Sequence, residues 1–237
     1  SRLDPPVILL HGVTGSGKTE IYLQAMDYAL AHDRGAIILV PEISLTPQTV
    51  ERFKSRFARD KAEVAVLHSH LSAGERHDQW HRIHEGHARI VIGARSAVFA
   101  PVHNLGLVVV DEEHETSYKQ EEAPRYNARD VAVMRGKMAG AAVLLGSATP
   151  SLESYENAHR GKYRLCRLPE RIDDKKMPVI RVVDMRQEAH RQKGVQVFSE
   201  RLKEAIQKRL DRAEQIILFL NRRGFASALL CPQCGHV

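Results

Sequence analysis

Residues 7–19 read Val-Ile-Leu-Leu-His-Gly-Val-Thr-Gly-Ser-Gly-Lys-Thr. The apolar run Val7–Leu10 predicts a strand. It leads directly into Gly12-Val13-Thr14-Gly15-Ser16-Gly17-Lys18-Thr19, the G-x-x-x-x-G-K-[ST] pattern of a phosphate-binding loop. The glycines let backbone N–H groups close around phosphate oxygens where a Cβ would intrude. Lys18 can reach the β- and γ-phosphates, and the Thr19 hydroxyl can ligate Mg²⁺. A helix is expected over 18–31, with its positive end turned to the anion. ATP and Mg²⁺ are therefore the expected ligands. The loop alone does not say what the nucleotide's energy is used for.

Outward from this loop, short apolar runs alternate with helical patterns. The runs are Val7–Leu10, Ala36–Val40, Val64–Leu67, Arg89–Ile92, Leu107–Val110 and Ala142–Leu145. Helices are expected at 18–31, 45–58, 72–85, 127–139 and 151–159. This alternation predicts an α/β fold, a parallel sheet flanked by helices. Ligands then bind beyond the carboxyl ends of the strands. The phosphate loop, Asp111 and Ser147 each fall at such an end. The pattern changes after 165. Arg167–Met177 is charged and Pro-flanked and reads as a linker. Val179–Val183 and Ile216–Leu220 read as strands. Ser199 to Arg212 reads as an amphipathic helix capped by Ser199, the start of a second α/β unit.

Two further clusters carry chemistry. Asp111-Glu112-Glu113-His114 follows Leu107–Val110. Beside a phosphate loop, the Asp can hold Mg²⁺ and the Glu can polarise the attacking water. Alone, the tetrapeptide would read as a solvated acidic turn. Ser147-Ala148-Thr149 follows Val143–Leu145. Alone it would read as a strand end with a turn. In this fold its hydroxyls should approach His114 and sense the γ-phosphate.

In this order, the three elements resemble superfamily-two helicases of the DEAD/DEAH group. The intervening residues narrow the resemblance to the bacterial replication-restart helicases. They include Pro41 to Gln48, Ile92 to Phe99, Ser117-Tyr118-Lys119-Gln120 with Arg125-Tyr126, Asn221-Arg222-Arg223-Gly224-Phe225, and Cys231-Pro-Gln-Cys234-Gly. The resemblance covers essentially the whole chain. It implies a RecA-like P-loop domain at 1–166, helicase lobe one. It assigns 167–237 to a linker, the start of lobe two and the first half of a zinc-binding insertion.

The implied activity is an ATP-dependent 3′-to-5′ DNA helicase that restarts replication at stalled or branched forks. The implied partners are single-stranded and forked DNA, other primosome proteins, the replicative helicase loader and single-stranded DNA-binding protein. The implied location is the bacterial cytoplasm, at the nucleoid. Lys18, Asp111, Glu112 and His114 take the catalytic positions. Ser147, Ala148 and Thr149 take the coupling positions. Thr46, Gln48, Arg95 and Ser96 fall in DNA-contacting segments. Glu113-His114 departs from the Ala-His and Ala-Asp endings of the namesake boxes. Helicase hydrolysis also normally needs an arginine from a second lobe, so this stretch alone is expected to bind ATP with feeble turnover. The competing readings are a catalytically weak DNA- or partner-binding module and a different superfamily-two translocase.

Tyr118, Lys119, Arg125 and Tyr126 interleave aromatic and basic residues, which suits stacking and phosphate attraction on single-stranded DNA. An ordinary loop packed by its tyrosines is the plainer reading. Cys231 and Cys234 have C-x₂-C spacing, open in isolation to metal, redox or accident. The resemblance favours Zn²⁺, with the site incomplete here because only His236 could join them. Cys166 reads as a core thiol. His77, His81 and His84 share one helical face, read as solvated rather than metal-binding.

The bulk properties are compatible with these readings. The 237 residues are 43% hydrophobic with a net charge of +6, a modest bias toward anionic partners. Three cysteines make no disulfide framework and fit a reducing compartment. No run approaches the ~20 apolar residues of a membrane span. The chain opens on Ser1 and stops just after the cysteine pair, so it is expected to be a piece of a longer protein.

Overall fold

The structure is a computed structural model that describes residues 6–57, 63–172, 178–192 and 197–219. The chain divides into two compact units, Ser1–Lys175 and Lys176–Val237.

In the first unit the strands are β1 (Val7–Gly12), β2 (Gly35–Leu39), β3 (Glu63–Leu67), β4 (Ala88–Gly93), β5 (Leu105–Val110), β6 (Lys119–Gln120), β7 (Tyr126–Asn127), β8 (Ala142–Ser147) and β9 (Arg164–Leu168). The helices are α1 (Lys18–Ala31), α2 (Pro47–Phe57), α3 (Ala73–His84), α4 (Ala128–Ala139) and α5 (Leu152–His159). Seven strands form one parallel sheet in the order β3-β4-β2-β5-β8-β1-β9. β6 and β7 pair antiparallel as a small hairpin.

The sheet is buried on both faces, which is why its strands read as unbroken apolar runs. Val108 and Val110 join one core with Leu9, Ile37, Val143 and the helical residues Ala128 and Ala132. Val109 joins the other with Leu10, Ile38, Leu144, Tyr22 and Met26 of α1, and Phe53 and Phe57 of α2. Successive side chains of a strand point to opposite faces, so three consecutive valines feed two cores.

All six expected strands and five expected helices of this unit form. β9 is the difference. The sequence pattern assigns no strand at 164–166, and 167–177 reads as a linker, yet Arg164–Leu168 pairs with β1 at the sheet edge. Leu165 packs toward one core, and Cys166 and Leu168 pack half-buried against the other. The first unit therefore runs on to Lys175, past the expected boundary after Cys166.

In the second unit, α6 (Met185–Gln192) and α7 (Glu200–Leu210) are helical. Ser199 caps α7 as expected, its hydroxyl accepting from Leu202 N at 3.2 Å. Val179–Val183 is not a strand, and 216–219 is not either. A strand needs a ladder partner, and none pairs with these segments among the described residues. α6 was missed although Asp184 signals it, accepting from Arg186 N at 3.0 Å. No helix among the described residues is long and apolar enough to cross a membrane.

Gly136 shows how closely α4 approaches the sheet. A Cβ there would stand 2.3 Å from Val143 Cγ2 and 3.0 Å from Ala141 O. Helix propensity favours alanine over glycine by about 1 kcal/mol, whereas overpacking a core costs about 1–3 kcal/mol. Gly136→Ala is therefore expected to lower the urea midpoint. A raised midpoint would mean that propensity outweighs the close approach.

Candidate active site

The strands β5, β8 and β1 are neighbours, so the loops leaving their carboxyl ends are neighbours too. The acidic tetrapeptide leaves β5, the hydroxyl loop leaves β8 and the phosphate loop leaves β1. Backbone bonds fix their levels: Asp111 N donates to Leu39 O at 2.9 Å, and Glu113 N to Gly146 O at 3.0 Å.

The phosphate loop turns through two left-handed glycines, Gly15 (φ 81°) and Gly17 (φ 87°). Gly17 occupies the N-cap of α1 and supplies no side-chain acceptor, so the helix presents its N-terminal end uncapped. Lys18 is buried, and its Nζ donates to Gly12 O at 2.9 Å. Val13 and Thr19 are half-buried, and Thr14 and Gly15 are exposed. Ser16 is buried, and its Oγ has no hydrogen-bond partner among the described residues. A buried hydroxyl without a partner costs free energy, which an oxygen-rich ligand would offset.

Asp111 stands between two tyrosines. Tyr22 donates its hydroxyl to Asp111 Oδ1 at 2.9 Å, and Tyr118 donates to the Asp111 carbonyl at 2.7 Å. Burial pushes the Asp111 carboxyl above its ordinary range, with Tyr22 and Lys18 opposing. Burial and the neighbouring Asp111 also raise Glu112. Glu112 adopts φ 45°, a left-handed conformation that costs a non-glycine residue about 1–3 kcal/mol. Two carboxyls pushed toward neutrality beside a glycine cradle fit a divalent cation, and their hard oxygens with Thr19 Oγ1 suit Mg²⁺. Thr19 and Asp111 would hold it. When bound, the ion supplies the positive charge that favours both carboxylates and shields the phosphates.

His114 meets the hydroxyl loop as the sequence led one to expect. Its Nδ1 lies 2.7 Å from Ser147 Oγ and its Nε2 3.4 Å from Thr149 Oγ1. Ser147 Oγ also accepts from Thr149 N at 2.9 Å. Ala148 contributes its backbone N–H, which favours the charged form of Glu112.

Glu113 was missed as a functional residue. It is fully buried and points away from the cleft. Its Oε1 accepts from Ser151 N at 2.7 Å, and its Oε2 from Ser151 Oγ at 2.9 Å and Ser154 Oγ at 2.8 Å. Arg129 Nη1 lies 3.4 Å from the same oxygen and donates to Ser151 Oγ at 2.6 Å. Tyr22 was missed as well. Nothing local announces either residue, because their partners lie far away in sequence.

The expected nucleic-acid segments divide. Arg95, Ser96, Gln120 and Tyr126 line one groove of about 400 Å³ together with Glu42 and Ser69. Arg95 also braces the hairpin, donating to Lys119 O at 2.6 Å. Tyr126 is half-buried, edge-on to Phe99 with centroids 5.2 Å apart. Lys119 and Arg125 are exposed; Arg125 Nε donates to Glu121 O at 3.0 Å. Thr46 and Gln48 are exposed at the start of α2, outside that lining. Tyr118 requires a correction. It lines the same groove, but at 1% exposure and bonded to Asp111 it offers no open ring face to a base. Cys231 and Cys234 lie outside the described residues. His77, His81 and His84 are exposed on α3, and no group of three or more His, Cys, Asp or Glu side chains is placed to hold a metal among the described residues. A cavity of about 1130 Å³ lies along one face of the sheet, lined from Pro6, Arg34 and Gly140 to Leu10 and Leu168.

The DEAD/DEAH box helicase model matches residues 4–158. The chain belongs to this family. It is also 53% identical over 98% of its length to the replication restart protein PriA of Bacillus subtilis, of which it covers 28%. To the PriA of Haemophilus influenzae it is 47% identical over 98% of its length, covering 31% of that protein. The chain thus spans under a third of the length of these curated relatives. Among solved structures, RecG bound to a three-way DNA junction shares 27% identity at a TM-score of 0.53, over 73% of this chain and 22% of that one. The DUF1998 helicase MrfA shares the fold at a TM-score of 0.56 and 18% identity, over 92% of this chain and 34% of that one. Membership in the helicase family implies ATP and Mg²⁺ as ligands.

Two outcomes follow from the buried carboxylates. A carboxyl whose pKa is raised by folding holds its proton better than in the unfolded chain. Its ionised form therefore weakens the fold at pH above that window, and the penalty fades as pH falls through it. Asp111→Asn keeps an acceptor for Tyr22 and removes the charge. It is expected to raise the thermal midpoint of metal-free protein at neutral pH by about 2–4 °C and to abolish Mg²⁺-dependent hydrolysis. A lower midpoint would show that the lost carboxylate–tyrosine bond outweighs desolvation.

Glu113→Ala removes a buried partner from Arg129, a loss of about 3–5 kcal/mol when nothing replaces it. Asp130 at 2.9 Å and Glu153 at 3.8 Å still face Arg129. The expected loss in urea unfolding is therefore near the lower bound, about 3 kcal/mol. A loss below about 1 kcal/mol, that of an ordinary surface pair, would refute a buried clasp.

Proposed function

We propose that this chain is the nucleotide-binding lobe of an ATP-dependent DNA helicase that acts in replication restart. The observation that carries the reading is the contact of His114 with Ser147 and Thr149. It joins the hydrolytic carboxylates to a hydroxyl loop lying between them and the phosphate loop. Lys18 and the backbone of 12–19 hold the phosphates. Thr19 and Asp111 hold Mg²⁺, and Glu112 polarises the attacking water. Ser147 and Thr149 report the γ-phosphate to the rest of the lobe.

The groove lined by Arg95, Ser96, Gln120 and Tyr126 takes single-stranded DNA, with Lys119 and Arg125 at the exposed hairpin and Thr46 and Gln48 along the same strand. Likeness to RecG bound to a three-way DNA junction supports action at forked DNA, and 3′-to-5′ translocation is part of the same proposal. The proposal extends to work alongside primosome proteins, a helicase loader and single-stranded DNA-binding protein in the bacterial cytoplasm. Cys231 and Cys234 supply two thiolates of a zinc site. Two thiolates leave a tetrahedral ion half-coordinated, so further ligands complete it.

The test is ATP hydrolysis by the full-length protein with forked, single-stranded and duplex DNA. Fork and single strand are expected to stimulate, and Lys18→Ala to remove turnover. Lys119→Ala and Tyr126→Ala are expected to lower the DNA-stimulated rate more than the DNA-free rate. Residues 1–237 alone are expected to bind ATP but hydrolyse it slowly, because an arginine from another lobe contributes ~10³–10⁵ in phosphoryl transfer. Equal rates with and without DNA would refute the motor reading.

A further inference from the structure

The segment after β9, expected as a linker, lies across the phosphate loop. Val13 N donates to Leu168 O at 3.2 Å, and Ile172 N donates to Gly15 O at 3.0 Å. Between these bonds, Arg171 rests on the loop. A Cβ built on Gly15 would stand 3.4 Å from Arg171 Nη2 and 3.5 Å from both Cζ and Nε. Three nearly equal distances mean that the face of the guanidinium, not its edge, covers Gly15. A Cβ on Gly17 would stand 2.5 Å from Ile172 Cδ1. The glycines thus serve twice: they give the loop its left-handed turns and they admit this strap.

An anion held by the loop would meet three positive features: the uncapped end of α1, Lys18, and Arg171. The buried Ser16 Oγ, without a partner among the described residues, independently marks the loop as built for a ligand oxygen. Arginine presents a planar fork of donors that suits phosphate, and its charge persists at any working pH.

We propose that Arg171 is a nucleotide-binding residue whose guanidinium engages phosphate oxygens of a nucleoside di- or triphosphate in the loop. The inference rests on the nucleotide-binding reading above and adds a contact from outside the loop motif. The backbone bonds of Leu168 and Ile172 hold the segment that carries Arg171 against the loop.

The test is calorimetric titration of ADP with Mg²⁺ into the 237-residue chain, comparing wild type, Arg171→Gln, Arg171→Lys and Lys18→Ala. Arg171→Gln is expected to weaken binding about tenfold or more, the scale of one charge-assisted phosphate contact. Arg171→Lys keeps the charge but loses the fork, and is expected to bind between wild type and Arg171→Gln. Titrations run well below the nucleotide-free thermal midpoint of every variant separate ligand contact from loosening of the strap. Wild-type affinity in Arg171→Gln overturns the inference. So does Arg171→Lys binding as weakly as Arg171→Gln, which would mean that the flat guanidinium serves by stacking rather than by charge. If binding depends on Lys18 but not on Arg171, only this inference fails. If wild type does not bind ADP, or Lys18→Ala binds equally, the nucleotide reading fails with it.

Discussion

Tyr22 reaches Asp111 only because residue 146 has no side chain. A Cβ on Gly146 would stand 1.7 Å from the Tyr22 hydroxyl. The bond of that hydroxyl to Asp111 Oδ1 crosses the sheet end from α1, over β8, to the end of β5. Tyr118 closes the other side by binding the Asp111 carbonyl. Once Asp111 is fixed, the three residues after it diverge. Glu112 turns through φ 45° beside His114, Glu113 runs into the core, and His114 swings to Ser147. Four consecutive polar residues thus take four different jobs, and the bare Cα of Gly146 permits the arrangement.

This arrangement is locally unfavourable. It combines a desolvated Asp111, a left-handed Glu112 and a Ser16 hydroxyl with no partner among the described residues. The sheet beneath it supplies the stability. Val108, Val109 and Val110 are wholly buried and feed two separate cores, and each large apolar side chain buried there is worth about 1.5–3 kcal/mol. Strain placed at the ends of such strands persists because the strands cannot shift to relieve it.

Legibility in the sequence followed the range of the interactions. The strand–loop–helix of residues 7–31 and the apolar runs at 36–40 and 142–145 are decided by local pattern, and they formed as read. β9 was hidden because an edge strand buries only part of its surface, so Arg164 and Arg167 are tolerated in it. Val179–Val183 erred the other way. Its β-branched residues favour extended chain, but a strand is a pairing and not a propensity. Within the site, the contact of Ser147 with His114 was legible because topology sets their loops side by side. Tyr118 was misread because an aromatic residue in a basic loop looks alike whether it faces DNA or, as here, the carbonyl of Asp111. Glu113 was overlooked because its partners Arg129, Ser151 and Ser154 lie on two later helices and their caps, a relation no spacing rule encodes.

That overlooked cluster bears on how a ligand in the groove proposed for DNA could influence hydrolysis. Arg95, in the groove, holds the carbonyl of Lys119. Lys119 begins a hairpin whose other strand ends at Asn127, and Asn127 caps α4 by accepting from Arg129 N at 3.0 Å. Arg129 meets Glu113 and Ser151, and Ser151 begins the helix that follows the hydroxyl loop. The chain of contacts is continuous from groove to His114. Contiguity transmits nothing unless some link has two arrangements whose balance a ligand can bias. The rigid links are the buried ones, Glu113 and the strand ends. The hairpin differs from them: two residues pair with two, Lys119 with Asn127 and Gln120 with Tyr126. So short a ladder is marginal on its own and is held largely by Arg95 and by the edge contact of Tyr126 with Phe99. A strand of DNA that drew either side chain away would free the hairpin first. Arg129 and Glu113, the buried links next in the chain, connect that hairpin to the segment that carries Glu112 and His114.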